Sequence, residues 1–209
     1  MPSHPRDTLT FVPNARKRLA TAANLRQLGL SWLSRPLTVT QVSRLQIRPI
    51  SVAENNAMRQ IIVSALDEFG CTGVGFSAKD PEMSNLAAAY QQEKWGYWVA
   101  VETPDHQAPQ VLGGVGIYPL KGAERHCGIA EFHKFYLSPM ARGKGVGKSL
   151  FQAALSGAKA MGYHTLYLET HPAMTAAIAM YEKLGFKRLT ERLGDTGHTG
   201  FTIFMALAL

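Results

Sequence analysis

Residues 141–150, which read ARGKGVGKSL, combine three glycines with three basic side chains at a predicted junction between a strand and a helix. Glycine has no side chain to hold a ligand away from the main chain, and the first N–H groups of a helix have no acceptor within the helix. An anion suits such a place, because the helix dipole presents partial positive charge there. The segment therefore predicts a phosphate-binding loop, and its spacing must decide which phosphate compound it holds.

Two nucleotide-binding patterns differ from this loop by one residue each. The end Gly147-Lys148-Ser149 matches the ATP-binding pattern G-x-x-x-x-G-K-[ST], but that pattern requires glycine where Arg142 stands. The dinucleotide pattern G-x-G-x-x-G, started at Gly143, requires glycine in place of Lys148. What remains is R-x-x-G-x-G from Arg142 to Gly147. A nucleotide hydrolase that uses the Gly-Lys-Ser end is the weaker alternative, and binding of ATP would reveal it.

This R-x-x-G-x-G loop resembles the acetyl-coenzyme A pyrophosphate loop of the GNAT superfamily of N-acetyltransferases. A second block, Ala177–Phe186 with the sequence AIAMYEKLGF, resembles the A-x-x-x-Y-x-x-x-G-F signature of the same family. The resemblance extends over residues 45–209 and includes the order of the secondary-structure elements. It implies an acetyltransferase domain over these residues, with acetyl-CoA as co-substrate and no metal.

The resemblance also implies where acetyl-CoA binds. In the family, a bulge separates the fourth strand from the fifth, and the pantetheine arm lies in the gap against main-chain groups. Here those groups would belong to Phe135, Tyr136 and Leu137. Backbone amides of the loop would hold the pyrophosphate, and they are those of Arg142, Gly143, Lys144, Gly145, Val146, Gly147 and Lys148. The two lysine side chains would either attract the phosphates or be solvated. Met174 departs from the family, which often has asparagine there, so cofactor contacts of that helix are not predicted.

Transfer of an acetyl group from a thioester to an amine requires a base, because a lysine-like amine has a pKa of about 10 and must lose a proton. The resemblance implies Glu131 as that base, acting directly or through water, since some family members carry a glutamate at this place in the strand before the loop. The alternative is that Glu131 pairs with Lys134 or Arg125 at the sheet surface, or only orders water.

Three further side chains near Glu131 are candidates for the acceptor site. His133 shares the role of the base or is structural, and Glu169 and His171 shape the amine pocket at the end of the next strand. Alternation along an extended strand predicts that one face carries the four side chains of Glu131, His133, Phe135 and Leu137.

Tyr181 is the second predicted catalytic residue. It matches the tyrosine of the family signature, and the resemblance implies that its hydroxyl protonates the leaving thiolate of coenzyme A. The alternative is a helix tyrosine that only packs in the core.

Glycine and proline residues mark the ends of the predicted strands and helices, which are the elements that must position these residues. Strands are predicted over 46–50, 97–102, 111–118, 128–137, 165–170, 186–190 and 201–207, and helices over 52–69, 84–93, 146–161 and 174–184. The order β-α-α-β-β-β-α-β-α-β-β predicts a mixed α/β (α+β) fold. The resemblance implies a mostly antiparallel central sheet of six to seven strands, splayed at strands four and five and flanked by about four helices.

The net charge of +7 belongs to the start of the chain. The first 48 residues hold eight basic side chains and one aspartate, and the remaining residues balance at 14 basic and 14 acidic. Because the residues after position 48 carry no net charge, nucleic-acid binding is not expected. No apolar run approaches the roughly 20 residues that span a bilayer. Residues 1–44 are predicted to be a basic, flexible extension or an organelle transit peptide. The protein is accordingly predicted to be cytoplasmic or, if residues 1–44 are a transit peptide, to lie in an organelle matrix.

Together these observations predict an N-acetyltransferase that moves an acetyl group from acetyl-CoA to a primary amine by direct transfer through a tetrahedral intermediate. The alternative is an acyl-CoA-binding module that senses its ligand without turnover. The sequence does not decide whether the acceptor is a small-molecule amine or an amine of a protein or peptide. The oligomeric state, a homodimer included, is open as well. Cys71 and Cys127 lack the spacing of metal ligands and are predicted to be free thiols.

Overall fold

A computed structural model of the chain describes residues 43–122 and 128–209. The predicted extension over residues 1–44, except for its last two residues, lies outside the described residues, as do Arg125 and Cys127. No helix in the described ranges is long and apolar enough to cross a membrane.

The described chain forms seven strands and four α-helices, joined in places by short 3-10 turns. The strands are β1 Arg44–Pro49, β2 Gly96–Thr103, β3 Gln110–Pro119, β4 Ile129–Leu137, β5 Thr165–Thr170, β6 Lys187–Leu189 and β7 Ile203–Ala208. The helices are α1 Asn55–Glu68, α2 Leu86–Ala89, α3 Val146–Ala160 and α4 Thr175–Lys183. The predicted mixed fold is confirmed, and each predicted strand is present to within a few residues.

The seven strands form one sheet in the order β1-β2-β3-β4-β5-β7-β6. β4 and β5 are its parallel pair, and the other neighbouring strands run antiparallel. A parallel pair needs a crossover connection, and α3 supplies it between β4 and β5. The glycine-rich loop, which leads into α3, therefore lies at the carboxyl end of β4.

Apolar side chains on the two faces of the sheet form two separate cores. One core joins the sheet to α3 and α4 and includes Phe132, Leu150, Leu166, Tyr181 and Met205. The other joins the opposite face to α1 and α2 and includes Met58, Ile62, Leu86, Val99 and Tyr118. The helices thus cover both faces, and the middle strands, which carry the candidate site, are buried from both sides.

The predicted helix over residues 84–93 is wrong in length, since the structure has only the short helix α2 in this region. Asn85 caps its start, because its side chain accepts a hydrogen bond from the amide N–H of Ala88. The chain then turns before β2, and Lys94 has a φ of +64° that an α-helix does not allow. The helix ends at Ala89, and the turn that follows occupies the rest of the predicted range.

Candidate active site

The candidate site lies where β4 and β5 separate. Their pairing covers three positions and ends with Glu131 opposite Tyr167. Beyond this pair β4 continues to Leu137 alongside β3 alone, so its other side has no neighbouring strand. The separation of strands four and five implied by the resemblance is therefore present, and Glu131 lies at its apex.

A bulge in β4 accompanies the separation. The register against β3 shifts between Gly116, which faces His133, and Gly114, which faces Tyr136. Lys134 lies inside this interval with a φ of +48°, and its carbonyl accepts a hydrogen bond of 3.1 Å from the hydroxyl of Tyr97. An extra residue in one strand reverses the alternation of the side chains that follow it.

The bulge corrects one prediction about β4. Glu131, His133, Phe135 and Leu137 were expected on a single face, but Phe135 and Leu137 pack with the core of α3 and α4. Tyr136 packs instead with the core of α1 and α2. The expectation failed because it assumed regular alternation, although the family resemblance implied a bulge in this strand.

A cavity with a volume of about 280 Å³ follows the gap between the strands. Both predicted catalytic residues, Glu131 and Tyr181, line it. The predicted cofactor-binding residues that line it are Phe135, Tyr136, Leu137, Arg142 and Gly143. The others belong to the loop and the first turn of α3 beyond the cavity, and they are Lys144, Gly145, Val146, Gly147 and Lys148.

The loop presents its main chain at the start of α3. Gly143 and Gly145 have φ values of +75° and +81°, and a Cβ atom at either would meet nothing within 4 Å. Gly145 is the N-cap of α3, and no side chain caps the helix. The first N–H groups of a helix have no acceptor within it, so this helix start can bind an anion. Lys144 and Lys148 are exposed, whereas the side chain of Val146 is buried in the core.

Two residues of the loop have side-chain or packing roles that the motif did not reveal. The guanidinium of Arg142 donates to both carboxylate oxygens of Glu68 in α1, at 2.7 and 2.6 Å. Gly147 has ordinary helical geometry, and a Cβ there would lie 3.3 Å from Leu137, 3.4 Å from Phe135 and 3.5 Å from Met180. Gly147 therefore permits close packing of α3 against β4 and α4, and the positive φ values of the loop belong to Gly143 and Gly145.

Glu131 is buried, with 1% of its surface exposed. Its Oε2 accepts a hydrogen bond of 2.6 Å from the hydroxyl of Tyr118. Its Oε1 lies 3.7 Å from Nδ1 of His198, which is longer than a hydrogen bond. The suggested pairing with Lys134 does not occur, because the ammonium group of Lys134 contacts Asp80 and, at 3.1 Å, Glu82.

The other candidate polar residues of the acceptor site divide into two groups. Glu169 lines the cavity, and both its oxygens are engaged, by the hydroxyls of Tyr167 and Thr196 and by the guanidinium of Arg192 at 3.3 Å. Burial, together with the charge of Glu131, raises the pKa of Glu169. His171 does not line the cavity, and its Nδ1 accepts a hydrogen bond from the amide N–H of Ala173.

His133 lies inside the sheet and faces the cavity. Its Nε2 contacts the hydroxyl of Tyr90, and its Nδ1 has no hydrogen-bond partner among the described residues. Burial, with the positive charge of Lys134 beside it, lowers the pKa of His133 well below its usual range. The ring is therefore neutral at physiological pH.

His198 is a candidate site residue that sequence reasoning missed. It lies in the loop before β7, lines the cavity, and connects Glu131 to Asp80, whose Oδ2 is 3.0 Å from Nε2 of the ring. The available signal was the segment 194–200, which reads GDTGHTG and spaces three glycines regularly around one histidine. No local pattern connects that segment to β4, because the contact depends on the tertiary fold.

Tyr181 lies on α4 with its ring packed among Phe132, Phe135 and Phe186, at centroid distances of 6.2, 6.3 and 5.7 Å. No residue in the described ranges forms a hydrogen bond with its hydroxyl, although the side chain lines the cavity. Burial, together with the nearby Tyr136, raises the pKa of Tyr181, so the phenol keeps its proton at physiological pH. Tyr181 is thus a proton donor without a partner at the cavity wall.

Comparison with known proteins identifies the family. Residues 58–186 match the profile described as the acetyltransferase (GNAT) family. The uncharacterized N-acetyltransferase YjgM of Escherichia coli K12 is 36% identical over 160 residues, which cover 76% of this chain and 92% of that protein. The chain belongs to the GNAT acetyltransferase family.

Other relatives of this GNAT protein match over shorter stretches or at lower identity. Rat N-acetyltransferase 8B is 31% identical over 51% of this chain and 46% of its own length. Among solved structures, a GNAT-family acetyltransferase from Staphylococcus aureus Mu50 aligns over 79% of this chain and 99% of its own with a TM-score of 0.66 at 18% identity. Salmonella typhimurium yncA, solved with acetyl-CoA, covers 78% of this chain and 93% of its own with a TM-score of 0.60 at 19% identity. These structures share the GNAT fold.

Proposed function

We propose that the protein is an N-acetyltransferase that transfers an acetyl group from acetyl-CoA directly to a primary amine, through a tetrahedral intermediate. The observation that carries the proposal is the pair of opposed groups at one cavity. Among the described residues, Glu131 offers a carboxylate oxygen without a hydrogen bond, and Tyr181 offers a phenol without an acceptor. A proton acceptor and a proton donor in one buried cavity are what amine attack on a thioester requires.

The cleft suits acetyl-CoA as the co-substrate. Beyond Glu131, β4 has no strand on one side, so its main chain is available to a chain of amides such as pantetheine. At the end of β4, the uncapped start of α3 suits a pyrophosphate, and the glycines of the loop let it approach the backbone. Acetyl-CoA bound here would supply the activated acetyl group.

Of the two carboxylates that line the cavity, Glu131 is the better base. Hydroxyl groups and Arg192 contact both oxygens of Glu169, so a proton taken up there would compete with groups that already hold this carboxylate. Tyr118 occupies only one oxygen of Glu131. The second oxygen can take a proton from the acceptor amine directly or through a water molecule.

Tyr181 would act at the other end of the reaction. The leaving thiolate of coenzyme A gains negative charge as the carbon–sulfur bond breaks, and a buried phenol that keeps its proton can donate to it. The charge forms only toward the transition state, so the donor assists turnover more than binding.

The part of the cavity next to Glu131, where the acceptor would bind, suits a compact amine better than it suits the terminus of a folded protein. Two loops meet there, since the amide N–H of Gly200 donates to the carbonyl of Gly75 at 3.0 Å and the ring of Phe76 packs edge-on against Phe201 at 5.3 Å. Residues from both loops line the cavity, among them Ser77 and His198. These contacts join the two loops beside the cavity, and an acceptor too bulky to fit between them would have to break them.

Calorimetric titration with acetyl-CoA and with ATP is the first test, and we expect binding of acetyl-CoA alone. The second compares amine-dependent thiol release by Glu131→Gln and Glu169→Gln. We expect Glu131→Gln to lower kcat by roughly 10²- to 10⁴-fold, as loss of a base does, and Glu169→Gln to have the smaller effect. Equal turnover by the wild type and Glu131→Gln would eliminate Glu131 as the base. Binding without turnover by any variant would favour the sensing module.

A further inference from the structure

His198 lies between two carboxylates that come from distant parts of the chain. Its Nε2 lies 3.0 Å from Oδ2 of Asp80, a residue 118 positions earlier in the sequence. Its Nδ1 faces Oε1 of Glu131 at 3.7 Å. Only 6% of the surface of His198 is exposed. Among the described residues, the imidazole is thus the group that lies between Glu131, the proposed base, and the carboxylate of Asp80.

The fold holds this ring in place from several directions. The amide N–H of His198 donates to the hydroxyl of Thr196 at 3.2 Å, and its carbonyl accepts a hydrogen bond of 2.8 Å from the guanidinium of Arg192. The ring packs edge-on against Phe201, with 5.8 Å between centroids. Asp80 is in turn held by the ammonium group of Lys134, which has no exposed side-chain surface. The position of the ring relative to Glu131 is therefore fixed by the loop and by the bulge of β4.

The charge of the ring follows from these contacts. Burial acts to lower the pKa of His198, but the hydrogen bond with Asp80 and the negative charge of Glu131 outweigh it and raise the pKa to about 9. The ring is therefore an imidazolium at physiological pH. The titratable and charged groups that surround it from the neighbouring elements are Asp80, Glu82, Tyr118, Glu131, His133, Lys134, Glu169 and Arg192.

We propose that His198 is a positioning residue for the base: its ring attracts the Glu131 carboxylate and holds it oriented toward the cavity. The inference rests on the proposed role of Glu131. The distance of 3.7 Å suits this role, because a cation at this range attracts the carboxylate without engaging Oε1 in a hydrogen bond. Tyr118 fixes the other oxygen, so the carboxylate keeps one oxygen for the proton of the acceptor amine.

The kinetic test uses His198→Asn and His198→Gln in the full-length chain. The asparagine amide reaches the place of Nδ1 and the glutamine amide that of Nε2, and neither carries a charge. We expect kcat to fall roughly 10- to 100-fold in both, as misplacement of a catalytic group does, with KM for acetyl-CoA unchanged. We also expect the acidic limb of the pH profile of kcat to move to higher pH, since the carboxylate loses its cation. The matched control is His106→Asn, at an exposed position between β2 and β3.

Some outcomes of the kinetic test would overturn the proposal. Wild-type kcat in both His198 variants would do so, and so would a loss of kcat with an unmoved pH profile, which marks a structural role only.

A second measurement needs no activity and no variant of His198. The imidazole of His198 is titrated by NMR in the wild type and in Glu131→Gln. We expect its midpoint near pH 9 in the wild type and a lower midpoint in Glu131→Gln, because the two groups stabilise each other's charge. Equal midpoints in the two proteins would refute the coupling. If Glu131→Gln keeps full acetyl transfer while the midpoints differ, the coupling stands and the assignment of the base fails instead.

Discussion

At the scale of single residues, the candidate site depends on which polar atoms have partners and which do not. Tyr118 and His198 surround Glu131 and leave one oxygen open, and the ring of Tyr181 is packed while its hydroxyl is free at the cavity wall. The hydroxyl of Tyr181 has no hydrogen-bond partner among the described residues and reaches the cavity. The proposed catalytic role requires this hydroxyl, whereas a role in packing alone does not.

Tyr181→Phe tests this distinction. The change keeps the ring that packs against Phe132, Phe135 and Phe186, and it removes only the unpartnered hydroxyl. We expect kcat to fall by roughly 10²- to 10⁴-fold, with affinity for acetyl-CoA and the free energy of unfolding nearly unchanged. Steady-state kinetics, calorimetry and urea unfolding measure the three quantities. Near-normal kcat, with chemistry shown to limit the rate, would remove Tyr181 from the mechanism.

The sequence predicted Glu131 and Tyr181 as site residues because each has a fixed place relative to a recognisable motif. Tyr181 belongs to the A-x-x-x-Y-x-x-x-G-F block, and Glu131 precedes the R-x-x-G-x-G loop by a set interval. His198 and Asp80 could not be identified in this way. They meet only because the loop before β7 folds back over the segment before α2, and no spacing along the chain encodes that contact.

At the scale of elements, the bulge of β4 and the uncapped start of α3 create the cleft together. The bulge turns Phe135 and Leu137 toward α3 and leaves Glu131 at the end of the β4–β5 pairing. The pattern of glycine and proline positions along the chain predicted these elements and their order. It could not predict the bulge, because the residue with the positive φ is Lys134, whereas glycine, asparagine and aspartate are the usual residues there.

Gly145 and Gly162 offer a matched pair for testing the loop. Both have a φ of +81° and open space where a Cβ atom would lie, but Gly162 lies beyond the carboxyl end of α3, away from the cleft. Alanine at either position should cost about 1–2 kcal/mol of unfolding free energy, because an L-residue is strained at this φ. Only Gly145→Ala should also weaken acetyl-CoA binding, since its strain moves the backbone that faces the pyrophosphate. Calorimetric affinities that fall equally in both variants would place the pyrophosphate elsewhere.

At the scale of the whole molecule, the described sheet and its two cores begin at Arg44. The basic residues that set the net charge precede β1 for the most part, whereas the described residues that line the cavity follow it. Fold class and element order were predictable because periodicity and turn residues are local signals. The cavity was predictable only through the family resemblance, because its walls come from segments far apart in the sequence.

Removal of residues 1–41 should leave the chemistry intact. The described residues that line the cavity all belong to the range 65–201. We expect the truncated protein to unfold cooperatively and to bind acetyl-CoA with the affinity of the full chain, by urea unfolding and calorimetry. A truncated protein that aggregates or loses acetyl-CoA binding would show that the segment contributes to the domain.

Stability should depend on pH through His198. Its pKa is raised to about 9 in the folded protein, above the value of about 6.5 in an unfolded chain, so folding is favoured while the ring is protonated. This contribution is complete below about pH 6.5 and is lost as the pH rises through about 9. The wild type should therefore lose its advantage over His198→Asn, at most about 3 kcal/mol, between these limits. Urea unfolding of both proteins across this range measures it, and a constant difference would contradict the assigned charge.

The most direct test of the central claim is product analysis with a panel of primary amines. The purified full-length protein is incubated with acetyl-CoA and each amine, and mass spectrometry follows the acetylated product while a thiol reagent follows free coenzyme A. The account predicts an N-acetylated product for at least one compact amine, formed in equal amount with coenzyme A and greatly reduced in Glu131→Gln. Tight binding of acetyl-CoA with no acetylated product from any amine in the panel would contradict it.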